Sequence, residues 1–326
     1  MYHKKRIGVL RGGPSAEYEV SLKSGAAVLS ALRSKLDHLY EARDVLIDLA
    51  GKWHIDGREF SPAEAHHHFD IALNALHGAY GEDGKIQAIL EAHDIPFTGS
   101  GSLSSAVAMN KILTKQALEK HGVRSPYWKE VFSEDVHIDP DAAAMELFRT
   151  FVMPAIVKPA GSGSSVGVSV ARTHADLVKA LEEAAKHGHS ILIEEFIPGV
   201  EATCGVIEGF RGQELYALPP IEIRTKNPFF DYAAKYQGES EEIVPATFSA
   251  EIKHELEELA KNVHRLLGLK HYSRTDFIIH PRRGIYVLET NTLPGLTEES
   301  LLPKALRAVG SDLHEFIDHI IRLAID

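Results

Sequence analysis

The sequence contains one cysteine, Cys204, so no disulfide can form within the chain and no cysteine-based zinc site is available. No apolar run approaches the length needed to cross a bilayer. Near the N-terminus the run Ile7-Gly-Val-Leu10 stops at Arg11, too soon for a signal peptide. Positive charge is scarce: 35 lysines and arginines stand against 46 aspartates and glutamates, a formal net charge of -11. Nucleic acid and anionic membrane surfaces are thereby excluded as general partners, since each calls for a basic face, although a local basic pocket remains compatible. No repeat or low-complexity tract appears. The expectation is a cytoplasmic protein, and 326 residues call for two or three compact units rather than one core.

The most informative stretch runs from Tyr272 to Pro294. Two segments rich in β-branched and aromatic residues flank His280-Pro281-Arg282-Arg283-Gly284, the pattern of a β-hairpin. With Arg282 and Arg283 at the tip, antiparallel pairing sets Ile279 opposite Tyr286, Asp276 opposite Glu289 and Arg274 opposite Asn291. Side chains alternate with period two, so Arg274, Asp276, Glu289 and Asn291 share one face, while Phe277, Ile279, Tyr286 and Leu288 form an apolar one. Two facing carboxylates beside an amide oxygen make a hard-oxygen site suited to Mg2+ and substrate phosphates. A solvated polar face is the plainer alternative, and a slip of one residue would dissolve the constellation.

Ahead of this stretch, Ile7 to Leu10 reads as a buried parallel strand. A helix follows with apolar positions Val20, Leu22, Ala26, Leu29 and Leu32, started by Pro14 and Ser15 with Glu17 and Glu19 favouring its dipole. The loop between them lies at a strand's carboxyl end, where open α/β sheets bind ligands, but no dinucleotide fingerprint is present. Val45 to Leu49 and Ile71 to Leu76 read as further strands, the second leading through a glycine-rich loop, His77 to Gly84, into a helix from Lys85 to His93. His66, His67 and His68 are adjacent and belong to a solvated loop, not a metal site. Ile95 to Thr98 reads as a short strand, and Gly99 to Ser102 opens a helix containing Lys111.

From Tyr127 the pattern changes. Pro154 to Pro159 and Val166 to Val170 read as antiparallel strands joined by a Gly/Ser loop, which is either a flexible turn or a phosphate cradle with Lys158 at its base. A helix from Thr173 carries Asp176 in a capping box. The strand Ser190 to Phe196 follows, and Glu194, Glu195, Phe196 and then Glu201 are candidates for base and ribose contacts. Arg224 to Phe248 lacks periodicity and reads as a lid, and helices follow at Ala250 to Leu267, Thr297 to Val309 and Asp312 to Ala324.

Seven segments in order carry a family signature: Gly12-Gly-Pro-Ser-Ala-Glu17, His77-Gly-x-x-Gly-Glu-Asp-Gly84, Gly99-Ser-Gly101, Lys158-Pro-x-x-x-Gly-Ser-Ser-Val-Gly167, Ala233-Ala-Lys-Tyr236, Arg274-x-Asp276 and Glu289-x-Asn-Thr-x-Pro-Gly295. The chain resembles the D-alanine:D-alanine ligases of the ATP-grasp superfamily. That resemblance implies an α/β (α+β) ATP-grasp fold: a Rossmann-like substrate lobe over residues 1–100, a central lobe over 101–194, and a C-terminal lobe over 195–326 with the Mg2+ site and a lid near 224–248. It implies ATP-dependent joining of two D-alanines through an acyl phosphate for peptidoglycan synthesis, two Mg2+ ions, replaceable by Mn2+, and a homodimer.

By the same resemblance, Asp276, Glu289 and Asn291 hold the metal, and Lys111, Lys158 and Lys235 contact phosphates. Glu194, Glu195, Phe196, Ile197 and Glu201 contact adenine and ribose. Arg274 stabilises an oxyanion, while Glu17, Ser164 and Tyr236 form a linked set that orients the first substrate's ammonium. His77, Gly295, Ser300 and Leu301 line the second-substrate pocket. Ala160-Gly-Ser departs from a segment that is often more polar, and Phe196 stands where some relatives have Trp. Tyr236 favours the peptide-forming branch over ester-forming relatives. Other ATP-grasp ligases lack Glu17 and the His77 loop, and a non-catalytic relative would have lost a metal ligand or Arg274.

Overall fold

The computed structural model describes residues 4–161, 167–225 and 240–325. Ser164, Lys235 and Tyr236 lie outside them. The strand Lys5–Gly12 sits between Tyr40–Ile47 and Ile71–Asn74 and is parallel to both, with Trp53–Ile55 and Arg58–Phe60 extending the sheet antiparallel at its far edge. Ile7, Val9, Leu10, Ile71, Ala72 and Leu73 are all buried, as a continuous apolar run in a covered parallel sheet requires. The expected strand at Ile95 to Thr98 reduces to a single parallel bridge between Ala72 and Phe97. Pro96 interrupts it, having no N–H to offer a ladder.

The first helix, Tyr18–Ser34, starts later than expected, with Glu17 rather than Pro14 or Ser15 at its boundary. Its buried face also differs from the expected stripe. Val20 and Ala26 are exposed, whereas Ser21, Ser24, Gly25, Val28, Leu29 and Leu32 are buried. Ser21 explains part of the shift: its Oγ donates to Ala75 O (2.9 Å) and accepts from Gly12 N (2.8 Å), tying the helix to two strand ends. Gly25 explains more, since a Cβ there would meet the Arg11 side chain at 2.6 Å. The three adjacent histidines fall in a short helix, Ala65–His68, instead of a loop. It continues from the turn Pro62–Glu64, which Ser61 and Glu64 cap reciprocally. His66 and His67 are exposed.

The helix expected from Gly99 through Lys111 is two helices, Ser102–Met109 and Lys111–Lys120. Asn110 divides them, its extended backbone ending the first while its side chain caps the second by accepting from Ile112 N and Leu113 N. A four-stranded antiparallel sheet follows, ordered Trp128–Phe132, Ser190–Glu195, Ala155–Pro159, Ser169–Ala171. Helices Ser133–Ile138, Pro140–Thr150 and His174–Ala185 cover one side of it, and Thr173 caps the last in the predicted box with Asp176.

The third sheet contains the hairpin. Val200–Glu208 lies between Ile221–Thr225 and Tyr272–His280, and Gly284–Asn291 closes one edge. The segment expected as an irregular lid begins and ends as sheet: Ile221–Thr225 pairs antiparallel with Ser240–Ile243, and residues 226–239 fall outside the described set. Helix Ala250–Leu266 packs on the face carrying Ala202, Cys204, Phe277, Ile285 and Val287. A further core joins the two ends of the chain: Val28 and Leu32 of the first helix share it with Phe316, Ile317 and Ile320 of Leu313–Leu323.

The hairpin register is correct at one end and shifted at the other. Arg274 pairs with Asn291 and Asp276 with Glu289, but Ile279 pairs with Ile285 and Tyr286 with Ile278. A bulge between Asp276 and Phe277 absorbs the offset, leaving Leu288 as the extra residue on its strand. The tip is therefore the three residues Pro281-Arg282-Arg283, with His280 opposite Gly284. The apolar face is Phe277, Ile279, Ile285 and Val287, and Tyr286 and Leu288 do not belong to it.

Candidate active site

Asp276 is the most heavily bonded side chain on the hairpin's polar face. Its Oδ1 accepts from Thr203 Oγ1 (2.6 Å) and Arg274 Nε (3.0 Å), and its Oδ2 from Arg274 Nη2 (2.9 Å) and Asn291 Nδ2 (3.2 Å). Thr203 arrives from the neighbouring strand, directly opposite Asp276. Burial works against the Arg274 cation, yet the Asp276 carboxylate raises its pKa above the ordinary value. Glu289, across the ladder, lies 3.3 Å from Lys111 Nζ, which links the hairpin to the start of helix Lys111–Lys120.

The donor chemistry suits a divalent cation. Among the described residues no three His, Cys, Asp or Glu side chains are grouped to hold a metal by themselves. The hairpin offers two carboxylates and one amide, an incomplete oxygen set of the kind Mg2+ accepts when water and phosphate complete it. Thr203 and Arg274 fix the Asp276 carboxylate in the way outer partners orient a metal ligand.

Behind this face the central sheet supplies a buried charge cluster. Glu194 is held between two lysines: Lys158 Nζ is 2.5 Å from Oε2, and Lys115 Nζ contacts Oε1. Side-chain exposure is 3% for Glu194, 10% for Lys158 and 1% for Lys115, so both oxygens face ammonium groups and not an open cleft. Burial pushes the Glu194 carboxyl up, but the two lysines together hold it below its ordinary pKa. The next residues follow the strand's exit. Glu195 pairs with Arg283 of the hairpin tip, Phe196 N donates to Pro154 O (3.2 Å), and Ile197 is buried. Glu201, also buried, stands opposite Ile278, two positions from Thr203 and so on the same face.

The other end of the site is built from the first sheet's carboxyl ends. The Glu17 side chain, at the boundary of the first helix, reaches the glycine-rich loop: a Cβ on Gly78 would stand 2.3 Å from Glu17 Oε2. Gly78, with φ +70, therefore allows a close approach that a larger residue would block. Ser15 Oγ donates to His77 O (2.9 Å), and His77 Nε2 lies 2.7 Å from Ser24 Oγ, which also accepts from Leu296 N (3.4 Å). Ser24 thus joins the His77 loop to the Gly295 turn. A Cβ on Gly295 would meet Ser300 Oγ at 2.7 Å, and the same hydroxyl is 2.7 Å from Thr297 Oγ1. Leu301, partly buried, begins the following helix.

With this geometry in hand, comparison with known proteins is decisive. The family model described as D-ala D-ala ligase C-terminus matches residues 117–322, and that described as D-ala D-ala ligase N-terminus matches residues 55–100. The chain belongs to the D-alanine:D-alanine ligase family. A ligase relative from Geotalea uraniireducens, named D-alanine--D-alanine ligase, is 42% identical over 321 residues, spanning 98% of this chain and 96% of its own. Another of that name, from Carboxydothermus hydrogenoformans, is 37% identical and covers 98% of each chain. Among solved structures, the VanG D-Ala:D-Ser ligase from Enterococcus faecalis superposes with a TM-score of 0.86 at 28% identity, covering 99% of this chain and 100% of that one. The D-alanine-D-alanine ligase from Coxiella burnetii gives 0.83 at 25% identity, covering 99% and 94%. The ATP-grasp fold expected for a D-alanine:D-alanine ligase is the fold observed.

Sequence reasoning missed Ser24, Glu82, Lys115 and Thr203. Only Glu82 lay inside a quoted motif; the others become visible once strand pairing and helix packing bring distant segments together. Glu82 accepts from Gly78 N (2.9 Å), and burial pushes its carboxyl up to about 7, with the Glu17 charge adding to the effect. Burial pulls the His77 imidazole down to about 4. The two act on stability with opposite signs. His77 contributes stability above pH 6.5 that is lost as pH falls toward 4; Glu82 contributes stability below pH 4.5 that is lost as pH rises through 7. Between pH 4.5 and 6.5 they largely offset each other. In Glu82→Gln the offset disappears, so denaturant unfolding should show stability falling about 2 kcal/mol further than in wild type as pH is lowered from 6.5 to 4.5. Parallel pH profiles for the two proteins would contradict this assignment.

Proposed function

We propose that this chain uses ATP to join two D-alanines into D-alanyl-D-alanine for peptidoglycan precursor synthesis. The observation that carries the reading is the pairing of Asp276 with Glu289 across the hairpin and the contact of Glu289 with Lys111 of the central lobe, in a chain matched nearly end to end by D-alanine--D-alanine ligases. The first D-alanine's carboxylate takes the γ-phosphoryl group of ATP, giving an acyl phosphate and ADP. The second D-alanine's amine then attacks the acyl carbon, phosphate leaves and the amide forms.

Each described residue has a task in that sequence. Lys111 and Lys158 hold phosphates, while the end of strand Ser190–Glu195 and Glu201 receive the base and ribose. Asp276, Glu289 and Asn291 would hold Mg2+, which when bound neutralises phosphate charge during transfer. Arg274, fixed by Asp276, stabilises negative charge on the acyl oxygen. Glu17 orients the first ammonium group, and His77, Gly295, Ser300 and Leu301 shape the pocket for the second substrate. Ser164, Lys235 and Tyr236 join this set by resemblance alone. The three sheets support lobes at 1–100, 101–194 and 195–326. We place the enzyme in the cytoplasm, where ATP is available, as a homodimer; no described helix is long and apolar enough to cross a membrane.

The test is ADP release from Mg-ATP with D-alanine, followed by identification of the product with D-serine or D-lactate offered in competition. D-Ala-D-Ala as the main product is expected. A dominant mixed product would move the chain to a different acceptor, and no D-alanine-dependent ADP would overturn the assignment.

A further inference from the structure

Lys115 belongs to none of the motifs that identify the family, yet its side chain is only 1% exposed and its ammonium rests against Glu194. A buried lysine is costly unless a partner compensates it, and here the partner is already shared with Lys158 at 2.5 Å. The charges decide what that sharing does. Lys158 and Glu194 alone form a neutral buried pair, and a lysine so neutralised attracts a phosphate weakly. Burial and the neighbouring Lys158 charge lower the Lys115 pKa while Glu194 opposes them, and with Lys115 protonated the trio carries one net positive charge and Glu194 is divided between two cations. Lys111, one helical turn earlier on the same face, pairs with Glu289 across the cleft. Both lysines thus lie on the helix Lys111–Lys120, which packs beside the base of the glycine loop: Lys111 N donates to Ala160 O (2.9 Å).

We infer that Lys115 is a positioning residue for nucleotide binding: by occupying one oxygen of Glu194 it leaves Lys158 able to present positive charge to the ATP phosphates. The inference rests on the ATP-dependent reading above and gives Glu194 a role through Lys158 beside its place at the nucleotide. It makes opposite predictions for a substitution that removes the charge and for one that keeps it. In Lys115→Met the trio becomes neutral, and KM for ATP should rise roughly 10- to 100-fold, as when an outer partner of a binding group is removed. KM for D-alanine should change by less than about threefold, since that pocket is built from other residues.

Lys115→Arg keeps the single positive charge and should hold ATP KM nearer to wild type than Lys115→Met does. A purely structural lysine predicts the reverse, because methionine matches the buried side chain more closely in size than the larger guanidinium does. The experiment measures KM for ATP and for D-alanine in wild type, Lys115→Met and Lys115→Arg, with thermal melting of each. ATP KM raised in Lys115→Met and closer to wild type in Lys115→Arg supports the inference. ATP KM unchanged in Lys115→Met, or equally impaired in both variants, overturns it. Should Lys115→Met fail to fold, Lys115→Gln takes its place and is read by the same two outcomes. A wild-type chain with no ATP turnover would instead defeat the functional reading itself, a distinct outcome.

Discussion

Replacing Asp276 with asparagine is expected to lower D-alanine-dependent ADP release by at least ~1000-fold, the scale at which loss of a metal ligand and of preorganised charge is felt. The side chain keeps its shape, so the loss is one of charge. Four hydrogen bonds converge on the carboxylate, two of them from Arg274. Without the carboxylate, a guanidinium whose side chain is only 18% exposed loses its counterion, and Glu289 no longer faces a second hairpin carboxylate. Arg274 would then be free to turn toward Glu289, displacing the Lys111 contact. Measuring turnover at saturating ATP and D-alanine separates this from weakened binding, and a loss smaller than tenfold would mean that the hairpin acids are not where phosphoryl transfer is assisted.

The second large effect concerns the residue beside it. Phe277 is fully buried among Ala202, Ile285, Val287 and the helix Ala250–Leu266. Truncation to alanine should cost about 3–5 kcal/mol, since both the transfer energy and the cavity count against it. The site makes the substitution informative beyond stability, because Phe277 abuts the bulge that sets Asp276 opposite Glu289. Hydrogen exchange of strand Tyr272–His280 is expected to accelerate before the first sheet is affected. Catalytic loss should be smaller than for Asp276→Asn at temperatures where the variant stays folded. Exchange rising uniformly over the whole chain would contradict a local role.

The hairpin also shows what could be read from the sequence and what could not. Period-two alternation correctly placed Arg274, Asp276, Glu289 and Asn291 together, because those residues lie on the regular side of the bulge. The same alternation misplaced Tyr286 and Leu288, since one extra residue inverts every position beyond it. A ladder without the bulge, continued from the observed tip, would set Glu289 opposite Thr275 and separate the two acids. In the first helix, hydrophobic periodicity chose Val20 and Ala26, while the buried face is built partly from Ser21, Ser24 and Gly25, whose contacts are polar or depend on small size. Glu194 entered the candidate set through family resemblance. Its enclosure by Lys115 and Lys158 was not legible, because helix Lys111–Lys120 and two strands must be packed before the three charges meet.

The core shared by the first and last helices bears on how the molecule is made. Val28 and Leu32 pack with Phe316, Ile317 and Ile320, Tyr40 Oη donates to Asp318 Oδ1 (2.7 Å), and Lys35 pairs with Asp312 (3.0 Å). During synthesis the first sheet and its helix emerge well before the surface that seals them, which lies far downstream in the chain. Until Leu313–Leu323 leaves the ribosome, the nascent first lobe displays an apolar stripe that invites chaperones or self-association. Ribosome-stalled chains ending before Leu313 should accordingly stay protease-sensitive in the first lobe, and chains carrying that helix past the exit tunnel should become resistant.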